Sequence, residues 1–395
     1  MMISSRVIGA MIRGQLPAAG VNGTMPMKQL SRFLVAMVVL TAVFLFSPRV
    51  FASDCEGVRE RYVCAEETAH DKRGVGKTDS AELPVSERFV AAELPEDTLF
   101  GRRWYGRLAD NANVYAAPSR SAPIVRNVGD GYLFATVNRW FDNEAGETWY
   151  EINYNEYVAA EDITMVNVSE FQGVKLTEQP VRPFGWVVVR DVYPSAEPDG
   201  EPDESLGQLQ RYDFIEIYDA VRGEEDWIWY DIGDGRWVKQ TNLSIVDVDA
   251  PPDDVGEGEF WVEVDLYEQT FAAYEGERMV YATLVSTGLP RWPTPEGLFQ
   301  VDSENRFREY KMSGAEGQVD YYFLEDVPYI MYYDLYNGIA LHGTYWHDRF
   351  GYKHSHGCVN MTIKDAEWTF NWSAEAPNDL WVWVHTSDPA KHLEQ

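Results

Sequence analysis

The sequence predicts a mainly β protein in which two small β-barrels precede a larger, mostly-β unit with one helix. Three observations carry this expectation. First, Val114-Tyr115 recurs as Val192-Tyr193, Trp149-Tyr150-Glu151-Ile152 as Trp229-Tyr230-Asp231-Ile232, and Tyr157-Val158 as Trp237-Val238. The offsets of 78, 80 and 80 residues mark a duplicated module. Second, each copy consists of short alternating runs, such as Tyr132–Val137 and Phe214–Tyr218, separated by Gly, Pro, Asp and Asn turns. Third, a Pro251–Asp254 linker leads into a final unit that opens with the period-two run Trp261–Leu266.

At 395 residues the chain exceeds one ordinary domain. Residues 1–52 read as a signal-peptide region whose true start is Met27. Lys28 and Arg32 precede the apolar run Phe33–Phe46, and Val50-Phe51-Ala52 offers a small-residue cleavage site. The run falls short of the roughly 20 residues that span a bilayer, so no stable membrane span is expected after its removal. Loss of Arg6, Arg13, Lys28, Arg32 and Arg49 takes the net charge from −31 to about −36. Such a surface repels nucleic acid and anionic lipid, and no protein partner is inferred. Cys55 and Cys64 follow the cleavage site and are positioned to pair in an oxidising exterior, or to stay free in a mobile segment. Residues 53–100 hold few large apolar side chains and are expected to be an acidic tether.

The two modules are placed at 101–168 and 183–248, and the final unit at 258–388. Within the final unit, Met279–Val285, Tyr329–Tyr333, Gly338–Leu341 and Leu380–His385 are expected strands. One helix is expected after Cys358, capped by Thr362, with Asp365 in its first turn and Ala366–Trp372 as its body. All of the chemistry is expected inside 258–388, independent of the modules.

That chemistry centres on Ser355-His356-Gly357-Cys358-Val359-Asn360, with His342-Gly343 sixteen residues upstream of the cysteine. A thiol becomes a strong nucleophile as the thiolate, and a nearby imidazole can take its proton. The segment closely resembles the L,D-transpeptidase catalytic domain of the YkuD type, in which a histidine, a spacer and Ser/Thr-His-Gly-Cys-hydrophobic-Asn occur in this order. Val264–Thr270, Val285-Ser286-Thr287-Gly288 and Pro293-Thr294-Pro295-Glu296-Gly297 extend the likeness across about 258–388. The two modules resemble bacterial SH3-like modules, which in envelope proteins often hold an enzyme against the wall. The bland alternative is a pair of spacers that bind nothing.

The resemblance implies an exported enzyme, periplasmic or in the cell wall, acting on peptidoglycan stem peptides without a cofactor. Cys358 would attack the carbonyl at the L-centre of the third stem residue and expel D-Ala, and an amine of another stem would resolve the thioester. His342 would be the base, and the Gly357 and Cys358 amides the oxyanion donors. Ser355, His356 and Asn360 would support the loop, and Gly343 would fix the imidazole tautomer through its carbonyl. Tyr345 and Trp346 would shape the cleft, and Arg349 would meet a stem carboxylate. Water as acceptor would make the same acyl-enzyme an L,D-carboxypeptidase. A catalytically idle wall-binding protein is the third reading, against which the intact His342 and Cys358 stand. His342, His347, His354, His356 and Cys358 also form a rival zinc set, but their spacing fits no common zinc pattern, and no metal is expected.

Overall fold

Strands make up nearly all of the regular structure in the computed structural model, which describes residues 84–314 and 320–388. The expected signal-peptide region, Cys55 and Cys64 lie outside the described residues. Two seven-stranded sheets organise the chain. In the first, the strands run Phe89–Val90, Val174–Leu176, Arg278–Leu284, Thr270–Glu275, Phe260–Asp265, Leu380–His385 and Gly297–Val301. The alternating run of the sequence thus folds as Phe260–Asp265, and the final strand lies beside it in parallel, with Val262 opposite Val382.

The second sheet runs Val359–Met361, Ile339–Gly343, Tyr322–Asp334, Tyr132–Val137, Trp104–Leu108 and Ile163–Met165, with Arg306–Gly314 also paired to Tyr322–Asp334. Val262, Val264, Phe271 and Val382 of the first sheet share one buried cluster with Ile330, Leu341 and Val359 of the second. Each such apolar side chain contributes about 1.5–3 kcal/mol on burial. The helix Ile363–Ser373 adds Ile363 and Ala366 to this core. Thr362 caps it by accepting the Asp365 amide at 3.1 Å. The Asp365 carboxylate does more than complement the helix dipole. Fully buried, it accepts from Tyr281 (2.7 Å), Thr283 (2.6 Å) and the Gly173 amide (2.8 Å), which ties the helix to the first sheet and to the segment after the first module.

The duplication is visible in three dimensions. Trp104–Leu108, Thr148–Asn153, Glu156–Ala159 and Ile163–Met165 recur in order as Phe184–Val187, Ile228–Asp231, Trp237–Lys239 and Leu243–Val246, each pair of closing strands joined by one 3-10 turn. Neither copy is a closed barrel, contrary to the sequence expectation. The first divides its strands between a five-stranded sheet and the second large sheet, and the second forms sheets of three, two and three strands. The first copy stays open because Tyr132–Phe134 pairs in parallel with Tyr322–Leu324 of the final unit. An edge satisfied from outside has no need to close on itself.

The expected tether is also corrected for its described part. Val90 pairs with Lys175, and Lys175 in turn pairs with Tyr281. Arg88 makes a buried two-pronged contact with Glu216 at 2.8 and 2.9 Å, and Phe89 packs on Phe184 and Phe214. A few apolar residues suffice here because an existing sheet edge and an existing core receive them. No helix among the described residues is long and apolar enough to cross a membrane.

Candidate active site

Two parallel neighbours in the second sheet, Ile339–Gly343 and Val359–Met361, bring the motif together. Leu341 stands opposite Val359 and His342 opposite Asn360, so His342 and Cys358 reach one cleft of about 360 Å³. His342 is buried, and its Nδ1 lies 3.0 Å from the carbonyl oxygen of Gly343. That contact places the ring proton on Nδ1 and leaves Nε2 with the lone pair a base needs. A Cβ at Gly343 would fall 2.8 Å from Pro328 Cγ, so the strand end has no room for a side chain.

Burial holds both partners neutral. It lowers the His342 pKa to about 4, against the smaller opposing effect of the Gly343 carbonyl. It also pushes the Cys358 thiol up to about 11. Cys358 nevertheless keeps an accessible edge, and its Sγ lies 3.7 Å from the Gly338 carbonyl oxygen. The resting pair is therefore thiol and imidazole rather than thiolate and imidazolium.

The loop before the cysteine is held from both sides. Ser355 Oγ donates to the Cys358 carbonyl (2.5 Å) and accepts the Gly357 amide (3.1 Å), while Thr294 donates to the Gly357 carbonyl at 2.7 Å. Gly357 adopts φ +117°, and a Cβ there would lie 2.7 Å from Ile339 Cδ1, so only glycine fits. The Gly357 amide is thus committed to Ser355, which removes one of the two expected oxyanion donors. His356 packs at a tilt against Trp292 and Tyr322, with ring centroids 3.8 and 5.1 Å away, as part of the cleft wall. Asn360 meets His347 Nε2 at 2.8 Å. The atom of Asn360 that faces it is Nδ2; because His347 Nδ1 accepts the Arg349 amide at 3.1 Å, Nε2 carries the proton, and a hydrogen bond between the two requires the Asn360 amide turned by 180°, which also gives its buried, unpartnered Oδ1 a donor.

Trp346 lines the cleft, with its ring 5.7 Å from that of His342. Tyr345, expected beside it, is instead core: it stacks on Tyr105 at 3.7 Å and donates to the Glu325 carbonyl at 2.6 Å. Arg349 is exposed and not part of the cleft lining. The cleft's cations are Arg107 and Arg291, and Tyr132 and Tyr322 supply further wall. Arg107 and Tyr132 belong to the first module, so the cleft is not confined to 258–388. No local signal in the sequence marks either residue.

Among the described residues, no three of the five side chains of the zinc alternative bring their ligating atoms within 4.8 Å of one another, although four of them line the cleft. Among the described residues, the group of three or more ligating side chains with atoms within 4.8 Å is Asp249, Glu263 and His385. This group borders a separate cavity of about 410 Å³ that contains neither Cys358 nor His342. There His385 Nε2 meets Glu263 Oε1 at 2.7 Å, and Tyr274 donates to Glu263 Oε2 at 3.0 Å, a hydrogen-bonded network around a buried carboxyl.

Residues 259–384 match the YkuD family, the L,D-transpeptidase catalytic domain. YciB of Bacillus subtilis (strain 168), which bears an L,D-transpeptidase name, is 29% identical over 128 residues, covering 30% of this chain and 62% of its own length. Among solved structures, an Enterococcus faecium L,D-transpeptidase mutant is 25% identical over 33% of this chain and 50% of its own, with a TM-score of 0.29. An L,D-transpeptidase from Mycobacterium smegmatis is 17% identical and covers 56% of this chain and 93% of its own, also at a TM-score of 0.29. The chain thus spans half of the Enterococcus faecium enzyme and 62% of YciB, and the family match falls on the unit that carries Cys358 and His342.

Proposed function

We propose that the chain is an exported peptidoglycan L,D-transpeptidase that uses Cys358 as nucleophile and His342 as base. The observation that carries this reading is the convergence of the two side chains from adjacent parallel strands, with the His342 tautomer fixed by Gly343. In the acylation step, His342 Nε2 takes the Sγ proton as sulfur attacks the carbonyl of the third stem residue. The oxyanion falls to the Cys358 amide, since that of Gly357 is held by Ser355. Collapse breaks the peptide bond, His342 returns the proton to the departing D-Ala amine, and a thioester remains. A side-chain amine of a second stem then attacks the thioester. His342 accepts its proton and passes it to the released thiolate, and the product is a cross-link.

The duplicated modules complete the proposal as SH3-like, wall-facing parts. Their exposed aromatics, such as Trp104 against Trp140 at 5.0 Å, support such a surface. Incubation of purified sacculi with the enzyme is expected to yield dimers linked between two diamino acids, identified by mass. Cys358→Ser should abolish them, and a carbapenem should add its mass at Cys358. Release of D-Ala with no new dimers would replace the transpeptidase reading with the carboxypeptidase one.

A further inference from the structure

Among the described residues, the cleft has one cation whose charge no carboxylate answers. Arg291 is answered by Asp320 at 3.0 Å and lies flat on Trp292 at 3.6 Å. Arg107 has no ion pair and no side-chain hydrogen bond among the described residues; its guanidinium sits 5.3 Å from the Tyr132 ring. It is also firmly placed. Arg107 lies on Trp104–Leu108, opposite Phe134, and Phe134 pairs with Leu324 of the final unit, so three consecutive strands of one sheet fix its distance from the catalytic strands. Tyr132, beside it, donates from its hydroxyl to the Trp346 carbonyl at 3.3 Å, which secures that wall of the cleft.

We infer that Arg107, from the first module, is the carboxylate-binding residue of the donor site, the role expected of Arg349, whose side chain is not part of the cleft lining. The inference rests on the transpeptidase reading, because a stem peptide brings the carboxylates. A guanidinium matches a carboxylate with two parallel hydrogen bonds, which a lysine cannot reproduce. The carboxylate has two sources: the terminal D-Ala of the donor, or the side chain of its third residue. The first module thereby selects the donor as well as standing next to the enzyme.

The test uses the full chain and three soluble tetrapeptide donors: one with both carboxylates free, one with a C-terminal amide, and one with a third-residue carboxamide. Wild type should prefer the free form to one of the two amides, and that amide identifies the carboxylate bound. Arg107→Met should raise KM for the free donor about tenfold or more, with little change in kcat, and should erase the preference. Arg107→Lys should restore part of it, and thermal melts of both variants report whether the fold is kept. If wild type turns over the donors and Arg107→Met shows the same preference, the inference is overturned. If wild type turns over none of them and takes no carbapenem adduct, the underlying transpeptidase reading fails instead.

Discussion

Alkylation of Cys358 across pH separates a neutral Cys358–His342 pair from an ion pair. Burial takes the thiol from an ordinary 9.0 to about 11, so at any pH below 9 the thiolate fraction falls about a hundredfold. At pH 7 that is roughly one molecule in ten thousand, against about one in a hundred for an exposed thiol. The accessible edge of Cys358 lets solvent temper the rise, so a hundredfold is the ceiling. Iodoacetamide, followed by intact mass, should react slowly at pH 7 and speed up nearly tenfold per pH unit with no plateau before pH 9. Acylation by a carbapenem should behave differently. There the proton passes to His342 Nε2 within the complex, and an imidazole with a pKa near 4 is available throughout this range. Acylation should therefore be nearly flat from pH 5.5 to 9. His342→Ala should lower acylation about 10²- to 10⁴-fold and leave alkylation close to wild type. An alkylation curve that levels off below pH 8, and loses that plateau in His342→Ala, would mean a resting thiolate-imidazolium pair and would refute the reasoning.

Deletion of residues 101–250 should cost the fold of the final unit, because it strips Tyr132–Phe134 from Tyr322–Leu324 and Val174–Lys175 from Tyr281–Ala282; loss of a cooperative melt is the readout. Asp365→Ala leaves the donors of Tyr281, Thr283 and Gly173 buried without their shared acceptor, and denaturant titration should show a loss of about 3–5 kcal/mol. Stability should also carry a pH signature from Glu263. Burial chiefly raises its pKa to about 7, while His385, lowered by burial but raised more by Glu263, also ends above its ordinary value. Both groups hold protons more tightly in the folded state: the Glu263 stabilisation is complete below about pH 4.5 and is lost as pH rises through 7, and that of His385 is complete below 6.5 and is lost at higher pH. Buried His342 and half-buried His347, both with pKa values lowered chiefly by desolvation, act oppositely, losing stability as pH falls below 6.5. The difference in melting temperature between wild type and Glu263→Gln, followed from pH 5 to 8.5, isolates the first effect. A difference that does not change with pH would count against it.

Local chemistry was legible in the sequence. Thr362 announced its helix, Leu380–His385 its strand, and the contiguous Ser355–Asn360 run with one upstream histidine named two side chains that the fold brings to one cleft, because each signal spans only a few residues. What depends on distant pairing was not. Tyr345 sits just past a strand end, and its inward turn is decided by Tyr105. Arg107 carries no local mark of a binding residue; it reaches the cleft through the Phe134–Leu324 pairing. The same holds for Asp249, Glu263 and His385, three residues from separate segments. Closed barrels were expected because alternation shows that a strand is half-buried but leaves its neighbour unspecified. The tether was misread for a related reason: composition measures what a segment can bury alone, and Phe89 is buried by others.

The position of Leu380–His385 sets the order in which this protein can assemble. It is an interior strand, between Phe260–Asp265 and Gly297–Val301, and yet among the last described residues to be synthesised. A chain emerging amino end first therefore carries an open slot in its first sheet until nearly everything else has appeared. While the slot stands empty, two strands expose unpaired backbone edges that invite association with other chains. Closing it joins residues more than a hundred positions apart, the kind of contact that makes folding slow. A stop codon shortly before Leu380 would remove the keystone rather than a tail, leaving Cys358 and His342 intact in a molecule unable to hold them.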